Sequence, residues 1–171
     1  DALVQAVEAT ISRKANTYTR SISMIAAMQI FENLAGAVQD DHDARNAVAE
    51  GSMMTGMAFG QSGLGAVHGI AHPLGSICHV PHGVVCAVLF PAVMRRNMPY
   101  SRILNDIFGP DPLEKYNALL RACGLPGNFR EYGLKPEHYD FIIRNCRSGS
   151  MKCNPVELSD RDVAAILDEL I

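Results

Sequence analysis

Apolar residues recur at helical spacing along most of the chain, and no stretch alternates apolar and polar residues with the two-residue period of a strand. The first segment shows the pattern, because one face of a helix would carry Leu3, Val4, Val7 and Ile11. We therefore predict an all-α fold. The chain has 171 residues, of which 48% are hydrophobic and 19% charged, which suffices for one domain with its own core.

The predicted helices, by residue number, are 1–12, 16–38, 41–59, 82–97, 100–108, 112–123, 136–147 and 159–171. A short segment at 63–73 precedes the fourth of these, and we expect Pro73 to end or distort it. Pro91 should kink the helix that contains it. Ser159, with Asp162 three residues later, is typical of a helix start. No internal repeat or linker divides these segments, so we expect one helical bundle.

Charge and composition exclude several classes of protein. A formal charge of −3 provides no basic field for a nucleic-acid backbone. The apolar run at 83–94 is about 12 residues long, below the roughly 20 that span a membrane, and the chain starts with no signal peptide. Five cysteines without a CxxC pair indicate reduced thiols. We therefore expect a cytoplasmic protein that binds neither nucleic acid nor a membrane.

Histidines are concentrated in one stretch of the chain, which contains His68, His72, His79 and His82. His68 and His72 are four residues apart and therefore share a helical face. If the chain reverses near Gly75, His82 returns to the same side as His68. Imidazole is a common metal ligand and a proton carrier near neutral pH. The alternative is that these are ordinary capping and core-edge histidines.

A second group of polar side chains lies on the first predicted helix. Asp1 and Gln5 are one turn apart, and Glu8 shares their face. Such a face is most often solvated. Close to the histidines, it would instead supply a carboxylate to a mixed nitrogen and oxygen site for iron or zinc.

Several segments together resemble the iron-containing (group III) alcohol dehydrogenase family. They are DALxxAxEA at 1–9, GLGAVHGIAHPLG at 63–75, PHG at 81–83, PxVMxxN at 91–97 and MKxNPxxLS at 151–159. The resemblance implies that residues 1–171 form the helical C-terminal domain of a dehydroquinate synthase-like fold. It also implies an N-terminal domain that binds NAD or NADP and is absent from this chain, which has no glycine-rich phosphate loop after a strand.

The resemblance further implies a divalent metal site for Fe²⁺ or Zn²⁺. The family's ligand positions correspond to Asp1, Gln5, His68 and His82 in this sequence. Gln5 stands where the family has a histidine, and a neutral amide is a weaker ligand than imidazole. We therefore expect a site that is weakened or lost. Without a metal, the histidines and the Gln5 amide would act as hydrogen-bond donors to the substrate oxygen.

By the same resemblance, His72 is the catalytic residue that moves a proton, and Phe59 lines the substrate pocket. Phe59 is equally well explained as a core aromatic residue at a helix end. The implied reaction is oxidation of a small alcohol or reduction of an aldehyde, with hydride passing to or from the nicotinamide. The isolated helical chain is expected to be inactive.

Two other functions remain open from the sequence. One is a relative of glycerol dehydrogenase or dehydroquinate synthase, or a metal-independent reductase. The other is a non-catalytic paralogue that serves as a structural or oligomerisation domain. The sequence is compatible with a homo-oligomer but does not determine one, nor does it determine the substrate or the choice between NAD and NADP.

Overall fold

The computed structural model describes the backbone of residues 1–171 and all side chains except those of Met98 and Ser101. Within this described chain there are α-helices and short 3-10 turns but no strand, which confirms the predicted all-α fold. The helices are α1 (Ala2–Ile11), α2 (Thr17–Val38), α3 (His42–Ser62), α4 (Ala66–Cys78), α5 (His82–Arg96), α6 (Ser101–Phe108), α7 (Pro112–Ala122), α8 (Tyr139–Asn145), α9 (Gly149–Cys153) and α10 (Asp160–Asp168).

Helix α1 lies at the centre of the fold and is buried along almost its whole length. It packs against α2, α3 and α5. Helices α2 and α3 also pack on each other through small residues: a Cβ added to Gly51 would lie 2.7 Å from Cγ1 of Ile30. Because this close approach requires a glycine, the stripe of small residues in α3 determines how tightly the pair packs.

Helix α4 is longer than the sequence pattern predicts. We expected Pro73 to end or distort the segment, but α4 continues through Pro73 and Gly75 as far as Cys78. The chain reverses only after α4, where His79 adopts a left-handed conformation with φ of 52°. His82 then begins α5, and it does return to the side of His68, as predicted.

The last third of the chain differs from the prediction in detail. The predicted helix at 136–147 is a 3-10 turn at Pro136–His138 followed by α8, and the short helix α9 was not predicted. At the start of α10, the Ser159 hydroxyl accepts from the Asp162 N–H, and the Asp162 side chain accepts in return from the Ser159 N–H. The predicted capping box is therefore confirmed.

Helix α2 is the longest apolar helix among the described residues. By length and composition it could cross a membrane, since its most apolar window has a mean hydropathy of 1.3. This is weak evidence, because a core helix of a soluble protein passes the same test and α2 packs on α1 and α3. Its outer face, together with that of α3, exposes apolar side chains that include Tyr18, Ile25, Met28, Met53 and Met57.

Candidate metal centre

Four side chains from three elements meet at one point near the start of α1. Asp1 precedes α1, His68 lies in the first turns of α4, and α5 carries both His82 and Cys86. Each offers one donor atom, and these four atoms all lie within 4.8 Å of one another. Asp1, His68 and His82 therefore lie together with Cys86 beside them, and their role as metal ligands remains a prediction.

The measured distances show how compact the group is. Oδ1 of Asp1 is 3.1 Å from Nε2 of His68 and 3.7 Å from Nε2 of His82. Sγ of Cys86 is 3.6 Å from the same nitrogen of each histidine. His68 is almost fully buried, whereas 45% of the His82 side chain and 35% of the Asp1 side chain are exposed. The centre is therefore closed on the α4 side and open on the side of His82 and Asp1.

Glu8 fixes the orientation of His68 from behind. This carboxylate is completely buried, and its Oε2 is 2.7 Å from Nδ1 of His68. Burial opposes protonation of His68, but its hydrogen bonds with Cys86 and Glu8, together with the Glu8 charge, outweigh burial and raise its pKa to about 9. Nδ1 therefore donates to the Glu8 carboxylate, and Nε2 faces Asp1 and the other donors.

The same carboxylate also positions the start of α4. Oε1 of Glu8 accepts from the backbone N–H of Val67 at 2.7 Å, where the helix dipole favours a negative charge. Gly65 allows this approach, because a Cβ at that position would lie 2.7 Å from Oε1 of Glu8. The Ala66 N–H donates to Oδ1 of Asn154. The first two backbone N–H groups of this buried helix, those of Ala66 and Val67, thus both have side-chain acceptors.

Asn154 is itself held by a buried pair of amides. It exchanges two 3.0 Å hydrogen bonds with Asn97, which follows α5. Both residues are buried and belong to the segments that carry the family resemblance. The pair links the residues that follow α5 and α9 to the start of α4. It therefore fixes the relative position of α4, which carries His68, and α5, which carries His82.

Gln5 contacts the centre through Asp1. Its side-chain amide donates to Oδ2 of Asp1 at 3.2 Å, one helical turn away. Gln5 therefore lies beside the four donor atoms, and its amide is hydrogen-bonded to the Asp1 carboxylate. The expected weakening of the metal site by Gln5 remains a prediction.

His72 lies beside the centre, not within it. It is exposed on α4, and its ring stacks on that of His82 with centroids 5.6 Å apart and an angle of 10° between the planes. Burial and the charges of His82 and His68 lower the pKa of His72. Burial and the charge of His68 likewise lower the pKa of His82. Both shifts favour the neutral form of the ring.

Phe59 is half-buried near the end of α3, where its carbonyl accepts from the N–H of Gly63. An apolar cavity of about 350 Å³ opens elsewhere, between α1, α2, α5 and α7. Asp1, Gly83 and Tyr116 are among its lining residues. The cavity therefore reaches the centre from the Asp1 side.

Sequence reasoning missed the roles of two residues. Glu8 was placed on a polar helix face, yet it is buried; its position between Val7 and Ala9 in an apolar helix was the available signal. Cys86 was grouped with the unpaired cysteines, although it lies four residues after His82 on a predicted helix. That spacing places both side chains on one face.

Comparison with known proteins agrees with this geometry. The C-terminal model of the Fe-containing alcohol dehydrogenase family matches residues 1–171. The chain belongs to the iron-containing alcohol dehydrogenase family. Its helical bundle is the C-terminal domain of that fold.

Individual members of the family are similar over the whole chain. Alcohol dehydrogenase 4 of Saccharomyces cerevisiae is 34% identical over 182 aligned residues, covering 98% of this chain and 48% of the yeast protein. Lactaldehyde reductase of Escherichia coli is 36% identical and covers 97% of this chain and 48% of its own length. A crystal structure of 1,3-propanediol oxidoreductase superposes with a TM-score of 0.91 at 33% identity, covering 100% of this chain and 50% of that one. The chain thus spans about half the length of these relatives.

Proposed function

We propose that the full protein containing this chain is an NAD(P)-dependent alcohol dehydrogenase or aldehyde reductase, and that this helical domain positions the alcohol or carbonyl for hydride transfer. The observation that carries the proposal is the convergence of Asp1 with His68 and His82 at the open end of α1, α4 and α5. The relatives named for alcohols, lactaldehyde and 1,3-propanediol support a small alcohol, diol or aldehyde as substrate.

The donor set fits a divalent ion, because one carboxylate oxygen and two imidazole nitrogens face a common point. Asp1, His68 and His82 would hold Fe²⁺ or Zn²⁺. When bound, the ion would act as a Lewis acid toward the substrate oxygen. Glu8 prepares this arrangement by holding a proton on Nδ1 of His68, so that Nε2 would be the nitrogen that releases its proton and binds the ion.

The exposure of the ligands determines where the substrate enters. His68 is closed off by α1 and α4, whereas His82 and Asp1 are partly open to solvent. The substrate oxygen would therefore approach between His82 and Asp1. We assign the lining of the substrate's carbon chain to Phe59, as the family resemblance implies, and the binding of NAD or NADP mainly to the N-terminal domain of the full protein.

His72 would carry the proton that leaves the alcohol. Its lowered pKa favours the neutral ring, which is the form able to accept a proton. Its stacking on His82 places it beside a ligand, and its exposure gives the accepted proton a path to solvent.

Gln5 limits how strongly a centre built from these residues alone would bind its ion. A neutral amide adds little to three good ligands. Its hydrogen bond to Oδ2 of Asp1 instead steadies the carboxylate. We further expect the full protein to be cytoplasmic.

The test is NAD(P)H formation by the full protein with small primary alcohols and diols. The substitution His68→Asn should abolish activity while the helical circular dichroism spectrum is retained. The matched control is His42→Asn, because His42 is an exposed histidine at the start of α3. Unchanged activity in His68→Asn would show that the histidine group is structural, and a full protein that forms no NAD(P)H with any of these alcohols would show that the proposed function is wrong.

A further inference from the structure

Cys86 is the one member of the four-residue group that the proposed function does not use. Its side chain is fully buried, and its Sγ faces Nε2 of both His68 and His82 at 3.6 Å. We propose that the Cys86 thiolate, and not the Gln5 amide, is the fourth ligand of the centre, and that the resulting set of carboxylate, two imidazoles and thiolate selects zinc over iron. The inference rests on the proposed metal centre.

Four of the six distances among the donor atoms are close to those of a tetrahedral zinc site, and the other two are at most 4.8 Å. Zinc bonds of about 2.0–2.3 Å place neighbouring donors about 3.3–3.8 Å apart in a tetrahedron. The measured separations are 3.1 and 3.7 Å from Asp1 to the two histidines and 3.6 Å from Cys86 to each of them. An ion among these atoms would reach all four ligands with only small movements of the side chains.

The local sequence explains why Cys86 arrives at this point. His82 and Cys86 are one turn apart on α5, so both side chains project from the same face. The opposing face belongs to α4, which carries His68. Two ligands from one rigid helix and one from its neighbour form a preorganised set, because neither helix needs to move to bring them together.

Charge also favours the thiolate. Among the direct ligands, Asp1 and a Cys86 thiolate would supply two negative charges to the divalent ion, whereas Asp1 with the neutral Gln5 would supply one. On binding, the S–H bond breaks, the metal–sulfur bond forms and the thiol proton leaves to solvent. Gln5 then acts as a positioning residue through its bond to Asp1.

The thiolate determines which metal is preferred. Sulfur is a soft ligand, and a tetrahedral site of nitrogen and sulfur donors suits zinc better than iron. The open side between His82 and Asp1 leaves space for the substrate oxygen as an additional ligand, as occurs when zinc expands its coordination. Cys86 therefore offsets the weakening that Gln5 would otherwise cause.

The first experiment reads the ligand directly in the full protein. After the native metal is removed and replaced by Co²⁺, a sulfur-to-cobalt charge-transfer band should appear in the near-ultraviolet spectrum. Zinc-edge X-ray absorption of the Zn²⁺ form should show one sulfur at about 2.3 Å. Cobalt or zinc that binds with only nitrogen and oxygen neighbours would overturn the assignment of Cys86 and leave the proposed metal centre intact.

The second experiment uses matched cysteine variants. Cys86→Ser should remove the sulfur signals and weaken Zn²⁺ binding at least about tenfold, since a ligand matters no less than its outer partners. Cys146→Ser is the control, because Cys146 is equally buried but bonds to the Ile143 carbonyl outside the centre. Equal Zn²⁺ affinity in both variants would refute the role of Cys86. If the wild type binds neither metal, the metal centre itself is refuted.

A third comparison separates Cys86 from Gln5. The substitution Gln5→His is made in the wild type and in the Cys86→Ala variant, and Zn²⁺ affinity is measured in both. It should tighten Zn²⁺ binding less in the wild type than in Cys86→Ala, because only in Cys86→Ala must position 5, one turn from Asp1, supply a missing ligand. Equal tightening in both backgrounds would mean that Cys86 contributes no ligand. If Cys86→Ala does not fold, the cobalt spectrum of the wild type alone decides the question.

Discussion

The role of Glu8 gives the sharpest prediction about how the centre is organised. The substitution Glu8→Gln keeps the size of the side chain and an oxygen that can accept from the Val67 N–H. It replaces the oxygen that faces Nδ1 of His68 by an amide that donates. His68 must then accept at Nδ1 and carry its proton on Nε2, which is the nitrogen that faces Asp1.

The expected size of the effect follows from these contacts. Loss of an outer carboxylate partner typically weakens metal binding about 10–100-fold, or ~1.4–2.8 kcal/mol. In the metal-free protein, a buried hydrogen bond to a charged group contributes about 1.5–3 kcal/mol to the free energy of unfolding. Because Glu8 is completely buried, water cannot compensate for the exchange of this charged hydrogen bond for a neutral one.

Two assays measure these quantities in the full protein. Competition with a coloured chelator gives the Zn²⁺ affinity, and urea unfolding of the metal-free protein gives the free energy of unfolding. Glu131→Gln is the control, since it makes the same charge change on an exposed carboxylate. Zinc affinity and stability in Glu8→Gln equal to those in Glu131→Gln would show that Glu8 does not orient His68.

Other substitutions test the remaining contacts. His72→Asn should lower turnover about 10²–10⁴-fold, the usual share of acid–base catalysis, with the metal content unchanged by mass spectrometry; unchanged turnover would make His72 structural. Gly65→Ala should lower the free energy of unfolding by about 1–3 kcal/mol because the added Cβ displaces Glu8. Gly60→Ala is the control: the added Cβ meets open space in α3 and should raise the free energy of unfolding by about 0.5–1 kcal/mol. Equal changes in the free energy of unfolding, measured by urea denaturation, would contradict this. Burial and the hydrogen bond to Asp168 raise the pKa of Tyr139 to about 12. The pair therefore stabilises the fold at and below about pH 10, and its contribution is lost as the pH rises toward 12. Ultraviolet titration should show a lower pKa for Tyr139 in Asp168→Asn, and an unchanged pKa would refute the pairing.

The helical fold was predictable because the apolar spacing of α1 is regular and α2 and α3 begin at local capping residues. Asn16 and Asp41 both accept from a backbone N–H three residues later. The prediction that the helix ends at Pro73 was wrong. A proline removes one helical hydrogen bond, but the helix can continue through it when tertiary packing stabilises the helical backbone. Its neighbours in α4, Ile70 and Leu74, are completely buried.

The candidate site was only partly predictable for a different reason. Asp1, His68 and His82 could be assigned from segments that resemble the family. Glu8 and Cys86 act through contacts between elements far apart in sequence, such as the 60-residue separation of Glu8 from His68. Spacing within a helix shows which face a residue occupies, but it does not show which neighbour covers that face.

The metal content of the full protein, purified without chelators, tests the central claim most directly. Inductively coupled plasma mass spectrometry of the wild type and of His68→Asn compares the intact centre with one that lacks its buried ligand. We predict one tightly bound divalent ion per wild-type chain, predominantly zinc, and none in the folded His68→Asn variant. A metal-free wild type that oxidises alcohols at full rate would contradict the account.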